Sequence, residues 1–180
     1  MGGTALNAVG RCIYAMRVTE TLSFDGYWEG PQYRCKRPVR NGSRKTVVGD
    51  DIYHHDSGSL RCLQEDSHHS QPDGAQDQHN VDHDTQTDRV LISEHFYYFG
   101  RSAPLVPDKI LHDIGYRNGR SHRVFASESA TPLISWLEEN FGKRLNNVMG
   151  DPYQFESSSA RYSGKADKII LSDGPRMAAA

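Results

Sequence analysis

The stretch "RVLISEHFYYFG", Arg89 to Gly100, is the most strand-like segment of the 180-residue chain. Apolar and aromatic residues fill both sets of alternating positions, which is typical of a strand covered on both faces. Only the run Ser93-Glu94-His95 interrupts this pattern with polar residues. The pattern therefore predicts a central strand, around which the rest of the fold is expected to form.

Three other segments also read as strands. In "RCIYAMRV", residues 11–18, successive side chains alternate between two faces, as in a strand that packs one face on the core. In "GDDIYHHD", residues 49–56, Gly49 and Asp50 predict a tight turn before a strand through Ile52 and Tyr53. The segment "KIILSDG", residues 168–174, predicts a last strand.

One helix is clearly indicated by "ATPLISWLEENFG", residues 130–142. Thr131 is the expected N-cap, Pro132 occupies the first helical position, and Gly142 ends the helix. One face of this helix is apolar and consists of Leu133, Trp136, Leu137 and Phe141. Strands outnumber helices and do not alternate with long helices, which excludes a doubly wound sheet and predicts an α+β fold with one main helix.

Composition limits the class of protein. The chain is 36% hydrophobic and 24% charged, which suits one domain, and its net charge of -2 gives no general attraction to nucleic acid or anionic membrane. Cys12, Cys35 and Cys62 form no CxxC pair, which argues against a disulfide framework and a thiolate zinc site. No run of about 18 apolar residues occurs, so we expect a cytoplasmic protein without a membrane partner.

The run "SHHSQPDGAQDQHNVDHDTQTD", residues 67–88, has metal-ligand residue types but no clear metal-ligand spacing. Adjacent His68 and His69 cannot both point inward from a strand, and the pair His79 and His83 needs a helix that nothing in the sequence indicates. The other potential ligands are Asp73, Asp82 and Asp84. We assign no metal ligands and leave the cofactor open; a solvated loop is the competing interpretation.

Several segments together resemble the nucleotide modification associated domain family, second type. They are "YAMRVTETLSFDGYW", "KRPVRNGS", "GDDIYH", "SHHSQPDG", "DTQTDRVLISEHFYYFGRSAP" and "GDPYQF". The resemblance implies a nucleotide or nucleic-acid context near systems that alter bases. The turn and strand of "GDDIY" are also similar to PUA-like and EVE-like barrels, which hold a base in a pocket.

With these resemblances, the expected fold is a strongly bent or barrel-like, PUA-like mixed β-sheet with one main helix. A long polar insertion, residues 64–88, is expected to close a pocket between the two strands that flank it. The expected organisation is a flexible N-terminal arm at residues 1–10, a single nucleotide modification associated domain at 11–172, and a frayed tail at 173–180. The oligomeric state stays open.

The matching elements of the insertion imply an ordered polar wall rather than a solvated loop. Its expected members are Ser67, His68, Ser70, Asp73, Asn80, Asp84, Thr85 and Asp88. Because the flanking segments should pair in the sheet, we expect Gly49, Asp50 and Tyr53 to approach the same cleft as His68 and Asp88. In an enzyme, His68, Asp84 and Asp88 would be the catalytic residues, and nearby carboxylates would hold the imidazole proton longer.

Two clusters of basic residues are candidate phosphate-binding surfaces. The members assigned to nucleic acid are Arg37 and Arg40 in the first cluster and Arg117, Arg120 and Arg123 in the second. Tyr116 and Trp28 are candidate stacking platforms. The competing interpretation of each basic cluster is a solvated face. Within the first basic cluster, a hairpin-like turn is expected around Asn41-Gly42.

Two functions remain open at this point. The first is a binding module that recognises a nucleotide, base or nucleic acid in a polar pocket. The second is an enzyme that acts on nucleotides or nucleic-acid bases through histidines and aspartates of the insertion, with or without a metal. A stacking aromatic residue beside basic walls favours the first, and converging histidine and aspartate side chains around an ion favour the second.

Overall fold

The computed structural model describes residues 7–39, 46, 48–57, 59–71, 73–119 and 123–153, and the backbone of two strands at 160–163 and 168–171. The expected turn around Asn41-Gly42 lies outside the described residues, as do Arg40 and Arg120. The chain divides into two compact units. Unit 1 comprises Met1–Thr19 and Ser93–Tyr153, and unit 2 comprises Glu20–Ile92 and Gln154–Ala180.

In the described part of unit 1 there are one antiparallel strand pair and two α-helices. Strand β1 (Tyr14–Arg17) pairs with β6 (His95–Tyr98). Helices α3 (Asp108–Asp113) and α4 (Thr131–Phe141) follow, and 3-10 turns lie at Gly100–Ser102, Ser127–Ala130 and Gly142–Arg144. The core of unit 1 consists of Cys12, Tyr97, Phe99, Ala103, Val106 and Leu137.

Helix α4 places the predicted apolar face on this core. Leu137 is buried, while Leu133, Trp136 and Phe141 pack against the core from its edge. The predicted N-cap is wrong, because Ala130 holds that position and makes no side-chain cap hydrogen bond. The preceding 3-10 turn runs directly into the helix, so Thr131 already has helical dihedral angles.

Among its described residues, unit 2 has three strand pairs, the α-helices α1 and α2, and a 3-10 helix. Strand β2 (Glu20–Leu22) pairs with β5 (Val90–Ile92), β3 (Tyr53–His55) with β4 (Cys62–Gln64), and β7 (Ala160–Ser163) with β8 (Lys168–Leu171). Helix α1 (Phe24–Glu29) is followed by a 3-10 helix at Pro31–Lys36, and α2 spans Gln78–Asp84. The core of unit 2 consists of Phe24, Ile52, Tyr53 and Val81.

The central strand predicted at Arg89 to Gly100 is two separate strands. Ser93 Oγ bonds to the backbone of Arg17 and His95, and the Glu94 N–H donates to Thr19 Oγ1. At the residues that separate β5 from β6, hydrogen bonds to side chains therefore take the place of backbone bonds between strands. Within the described residues each of these strands has one strand partner. Leu91 is exposed, so its face of the strand is not covered as it would be in a central strand. Apolar residues on both faces therefore did not indicate a central position.

The α+β expectation is therefore met only in its coarse form, as a mixed α/β fold with several helices and small antiparallel sheets. No closed barrel is found in the part of the chain that the structure describes. All strand pairs there are antiparallel, and one isolated parallel bridge joins Tyr98 to Val148. Among the described helices, none has the length and apolar character needed to cross a membrane.

Candidate functional sites

The polar insertion continues from the last residue of strand β4 into a tight serine turn and helix α2. Asp77 is the N-cap of α2, and its carboxylate accepts from the backbone N–H groups of His79 and Asn80. Val81 is buried in the core of unit 2, which anchors this polar helix. The expectation that nothing places residues 80–82 on a helix is wrong, and Asp77 was the overlooked cap signal.

The serine turn at the start of the insertion is buried and internally bonded. Ser70 Oγ accepts from the backbone N–H of Ser67 and donates to the Ser67 carbonyl at 2.8 Å. Ser67 Oγ accepts from the N–H of His69. Both serine side chains therefore hold the shape of the turn that presents His68 and His69, as Ser/Thr turns do.

A hydrogen-bonded network joins β3, β4 and α2. The Tyr53 hydroxyl donates to Asp84 Oδ2 at 2.8 Å and accepts from Gln64 Nε2 at 3.1 Å. Gln64 Oε1 accepts from the Asp77 N–H, and Asn80 Nδ2 donates to the carbonyl of His69. Burial beside the carboxylate raises the pKa of Tyr53, so this hydroxyl remains a donor throughout the neutral range.

His68 and His69 lie against each other at the edge of this network. Their ring centroids are 4.1 Å apart in an edge-to-face arrangement, and His69 Nδ1 is 3.5 Å from Asp84 Oδ2, outside hydrogen-bond geometry. His68 Nδ1 is buried and has no hydrogen-bond partner among the described residues. Burial lowers the pKa of His68 to about 4, outweighing Asp84, so the expectation that nearby carboxylates hold its proton longer is wrong.

The lowered pKa of His68 predicts a specific acid sensitivity. The unfolded chain takes up a proton at His68 near its ordinary pKa of 6.5, whereas the folded chain does so only near 4. This contribution to the free energy of unfolding is therefore present above pH 6.5 and is lost as the pH falls towards 4. We expect the His68→Gln variant to have a flatter stability curve over this window in urea unfolding.

The matched control for this measurement is His83→Gln, which changes an exposed histidine on α2. Its stability curve should follow that of the unchanged protein between pH 6.5 and 4. Identical slopes for the two variants would show that burial of His68 does not perturb its titration.

The other predicted insertion and cleft residues have local partners. Asp73 accepts from the Ala75 N–H, and Thr85 Oγ1 donates to the Val81 carbonyl. Asp88 Oδ1 accepts from the Phe24 N–H at 2.6 Å, at the start of α1, and Asp50 accepts from the Tyr27 hydroxyl at 3.1 Å. The structure thus brings Tyr53, Asp84 and the two adjacent histidines together, while Asp50 and Asp88 bind different parts of α1.

Arg37 of the first basic cluster contacts the protein interior of unit 2. Its Nε lies 3.4 Å from Oδ2 of the buried Asp51, its Nη2 donates to the Trp28 carbonyl, and its guanidinium lies 3.6 Å from the centre of the Trp28 ring. Trp28 also stacks on the His54 ring at a centroid distance of 4.3 Å. The guanidinium group therefore contacts both the Trp28 ring and the buried carboxylate of Asp51, and Trp28 in turn contacts His54.

A cavity of about 600 Å³ in unit 2 contains residues that the sequence prediction missed. Its walls include Asp25, Trp28, His54, His55, Asp56 and Leu60. His55 Nδ1 lies 3.0 Å from Asp25 Oδ2, and the His55 backbone N–H donates to Asp25 Oδ1 at 2.7 Å. The adjacent histidines of "YHHD" were a visible signal, but their partner Asp25 lies thirty residues earlier and could not be identified without the fold.

A second cavity, of about 340 Å³, lies in unit 1 at the second basic cluster. Arg117 and Arg123 line it together with Tyr116 and Phe125. The Tyr116 hydroxyl accepts from the Gly10 N–H at 3.2 Å, which fixes one aromatic wall. Asn118 and Ser129 add polar groups to the lining, and none of the described lining residues is acidic.

Metal-ligand types do not converge anywhere in the described residues. No group of three His, Cys, Asp or Glu side chains there has an arrangement that could hold a metal ion. The described part of the insertion contains His68, His69, His79 and His83, and no such group includes them.

A known protein family matches most of the chain. A family model described as nucleotide modification associated domain 2 matches residues 1–159. Neither the curated proteins nor the solved structures include a significant match.

Proposed function

Because the chain belongs to the nucleotide modification associated domain 2 family, we propose that it binds a nucleotide or a nucleic-acid segment in the context of base modification. The observation that carries this proposal is the cavity of unit 1, where Arg117 and Arg123 share walls with Tyr116 and Phe125. Two guanidinium groups beside two aromatic rings match the two parts of a nucleotide, its phosphate and its base.

The chemistry of the lining supports a phosphate-bearing ligand. Guanidinium groups bind phosphate oxygens through several N–H donors in a fixed plane, and both Arg117 and Arg123 are exposed. The net charge of the chain is -2, so attraction to phosphate must arise locally. A cavity of about 340 Å³ is large enough for a base or a mononucleotide and too small to enclose a duplex.

The aromatic residues support recognition of a base. Bases stack on aromatic side chains with little dependence on sequence, and such stacking contributes about 1–3 kcal/mol per base. Phe125 is about half exposed and is therefore available to a ligand, whereas the hydroxyl of Tyr116 is bonded to the backbone of Gly10. We accordingly assign stacking to Phe125 and the position of the aromatic wall to Tyr116.

Arg117→Ala and Arg123→Ala are each expected to weaken binding of a labelled single-stranded oligonucleotide by about tenfold at low salt. Each change should also reduce the slope of log affinity against log salt concentration by about 0.7, because one phosphate contact with a single strand is lost. Fluorescence anisotropy across a salt series measures both quantities. Arg144→Ala, which removes an exposed arginine of the same unit outside this cavity, is the control and should retain both.

The alternative function is an enzyme that uses His68, Asp84 and Asp88 of the insertion. The observation in its favour is the buried Nδ1 of His68, which lacks a hydrogen-bond partner among the described residues and belongs to a ring that is neutral at pH 7. Mass spectrometry of nucleotides after incubation distinguishes the two functions. A modified base that forms with the unchanged protein but not with His68→Ala would favour the enzyme and reject a purely binding role.

A further inference from the structure

The cavity of unit 2 differs chemically from the arginine-lined cavity of unit 1. Three carboxylates, those of Asp25, Glu29 and Asp56, lie in its walls, and no lysine or arginine does among the described lining residues. Such a wall repels phosphate and attracts groups that donate hydrogen bonds or carry positive charge. A ligand that binds mainly through its phosphate, as proposed for the cavity of unit 1, is therefore a poor fit here.

His55 is held in one tautomer at this cavity. Its Nδ1 lies 3.0 Å from Asp25 Oδ2, and the Asp25 carboxylate is also bound by the backbone N–H of the same residue. That backbone hydrogen bond is the main reason why the pKa of Asp25 is lowered, so the carboxylate is an acceptor and Nδ1 carries the proton. In the neutral ring Nε2 is then the acceptor, and it is bonded to no described residue.

The other residues of the cavity wall suit contact with a planar ring of a ligand. Trp28 is fixed by its contacts with Arg37 and His54, so it forms a rigid apolar edge. Leu60 is 97% exposed and lines the cavity, where it offers apolar surface to a ligand. Ser57 and Ser59 supply two hydroxyl groups nearby.

We propose that the cavity of unit 2 is a second binding site, specific for an amine-bearing nucleobase without phosphate, in which carboxylates and His55 Nε2 accept from the N–H groups of the base. The identification of the ring as a nucleobase rests on the proposed function. The site itself consists of different residues from the phosphate site, so the two can fail separately. Adenine and cytosine carry the required exocyclic amine, whereas uracil presents carbonyl oxygens that the carboxylates repel.

The test compares free nucleosides by isothermal titration calorimetry on the full chain. In the full chain carrying Arg117→Ala and Arg123→Ala, which disables the proposed phosphate site, adenosine or cytidine should bind at least about tenfold more tightly than uridine, and adenosine more tightly than its 5′-monophosphate. His55→Asn keeps a donor for Asp25 but removes the acceptor and should lower adenosine affinity by about tenfold. His55→Gln places a polar group near the Nε2 position and should retain part of the affinity.

Two control variants make the outcome decisive. His79→Asn changes an exposed histidine of the same unit and should leave adenosine affinity unchanged. Arg123→Ala should also leave it unchanged, while weakening oligonucleotide binding, which separates this site from the proposed phosphate site. Equal binding of adenosine and uridine, equal binding of 1,4-diaminobutane, or full affinity in His55→Asn would each overturn the inference.

Discussion

Gly49→Ala is expected to lower the free energy of unfolding by about 3 kcal/mol or more. A Cβ atom at this position would overlap the Lys36 carbonyl oxygen and would lie 2.7 Å from the backbone of Arg37 and of Pro38. All three obstacles are backbone atoms, so no side chain can rotate away. The Asp51 N–H donates to the same Lys36 carbonyl, and this bond would have to break if the segments separated.

The control for this change is Gly142→Ala, because a Cβ atom there meets nothing within 4 Å. Its backbone is helical, so alanine should be neutral or slightly stabilising. Urea unfolding followed by circular dichroism measures both variants. A Gly49→Ala protein as stable as Gly142→Ala would contradict the close backbone approach at the "GDD" segment.

Gly49 also links the fold to the proposed base site of unit 2. The backbone segment that it approaches carries Arg37, whose guanidinium lies on Trp28, and Trp28 lines the cavity. A separation of these segments would therefore move one wall of the cavity. Any Gly49→Ala protein that still folds should accordingly bind adenosine more weakly, while oligonucleotide binding by unit 1 is retained.

Local patterns predicted those elements whose stability arises locally. The apolar face of α4 follows from the spacing of Leu133, Trp136, Leu137 and Phe141, and all four contact the core of unit 1. The strand signals at Tyr14–Arg17, Tyr53–His55 and Lys168–Leu171 were likewise sufficient. In each case the period of the side chains is a property of the segment itself.

Helix α2 and the break at Ser93-Glu94 depend on distant residues. Val81 is the single apolar residue of "QHNVDHD", so no helical period exists, and the helix relies on the Asp77 cap and on burial of Val81 in the core of unit 2. The break between β5 and β6 relies on Arg17 and Thr19, more than seventy residues earlier. A single sequence does not reveal such partners.

The candidate sites likewise include some formed by residues that are close in sequence and others that depend on distant residues. Arg117, Arg123 and Tyr116 are close in sequence, and the structure places them in one cavity as a local cluster would suggest. The partners of Arg37 and His55 lie 14 and 30 residues away, so the sequence showed only a charge run and a histidine pair. Burial also reversed the expected direction of the pKa of His68, and burial is a property of the folded chain.

Arg37→Ala is expected to lower the free energy of unfolding at pH 7 by about 3 kcal/mol, because it leaves the carboxylate of Asp51 buried without its cation. The Asp51 side chain is fully buried, whereas Arg37 is about one-third exposed, so water can replace only part of the lost interaction. The change also removes the guanidinium from Trp28. Arg34→Ala removes an exposed cation from the 3-10 helix that ends just before Arg37 and should cost less than about 0.5 kcal/mol in urea unfolding.

The pH dependence of this loss identifies Asp51 as its cause. Burial raises the pKa of Asp51 above its ordinary value of 3.8, and Arg37 opposes that rise, so the Arg37→Ala variant should raise it further. The folded variant then binds a proton more tightly than the unfolded chain, and stability falls as the pH rises from about 4 through the raised pKa. Lowering the pH from 7 to 5 should therefore restore part of the lost stability relative to the unchanged protein. The double variant Arg37→Ala/Asp51→Asn has no carboxyl group at position 51 and should not recover in this way, so equal recovery in both proteins would reject the buried ion pair as the reason that Arg37 stabilises unit 2.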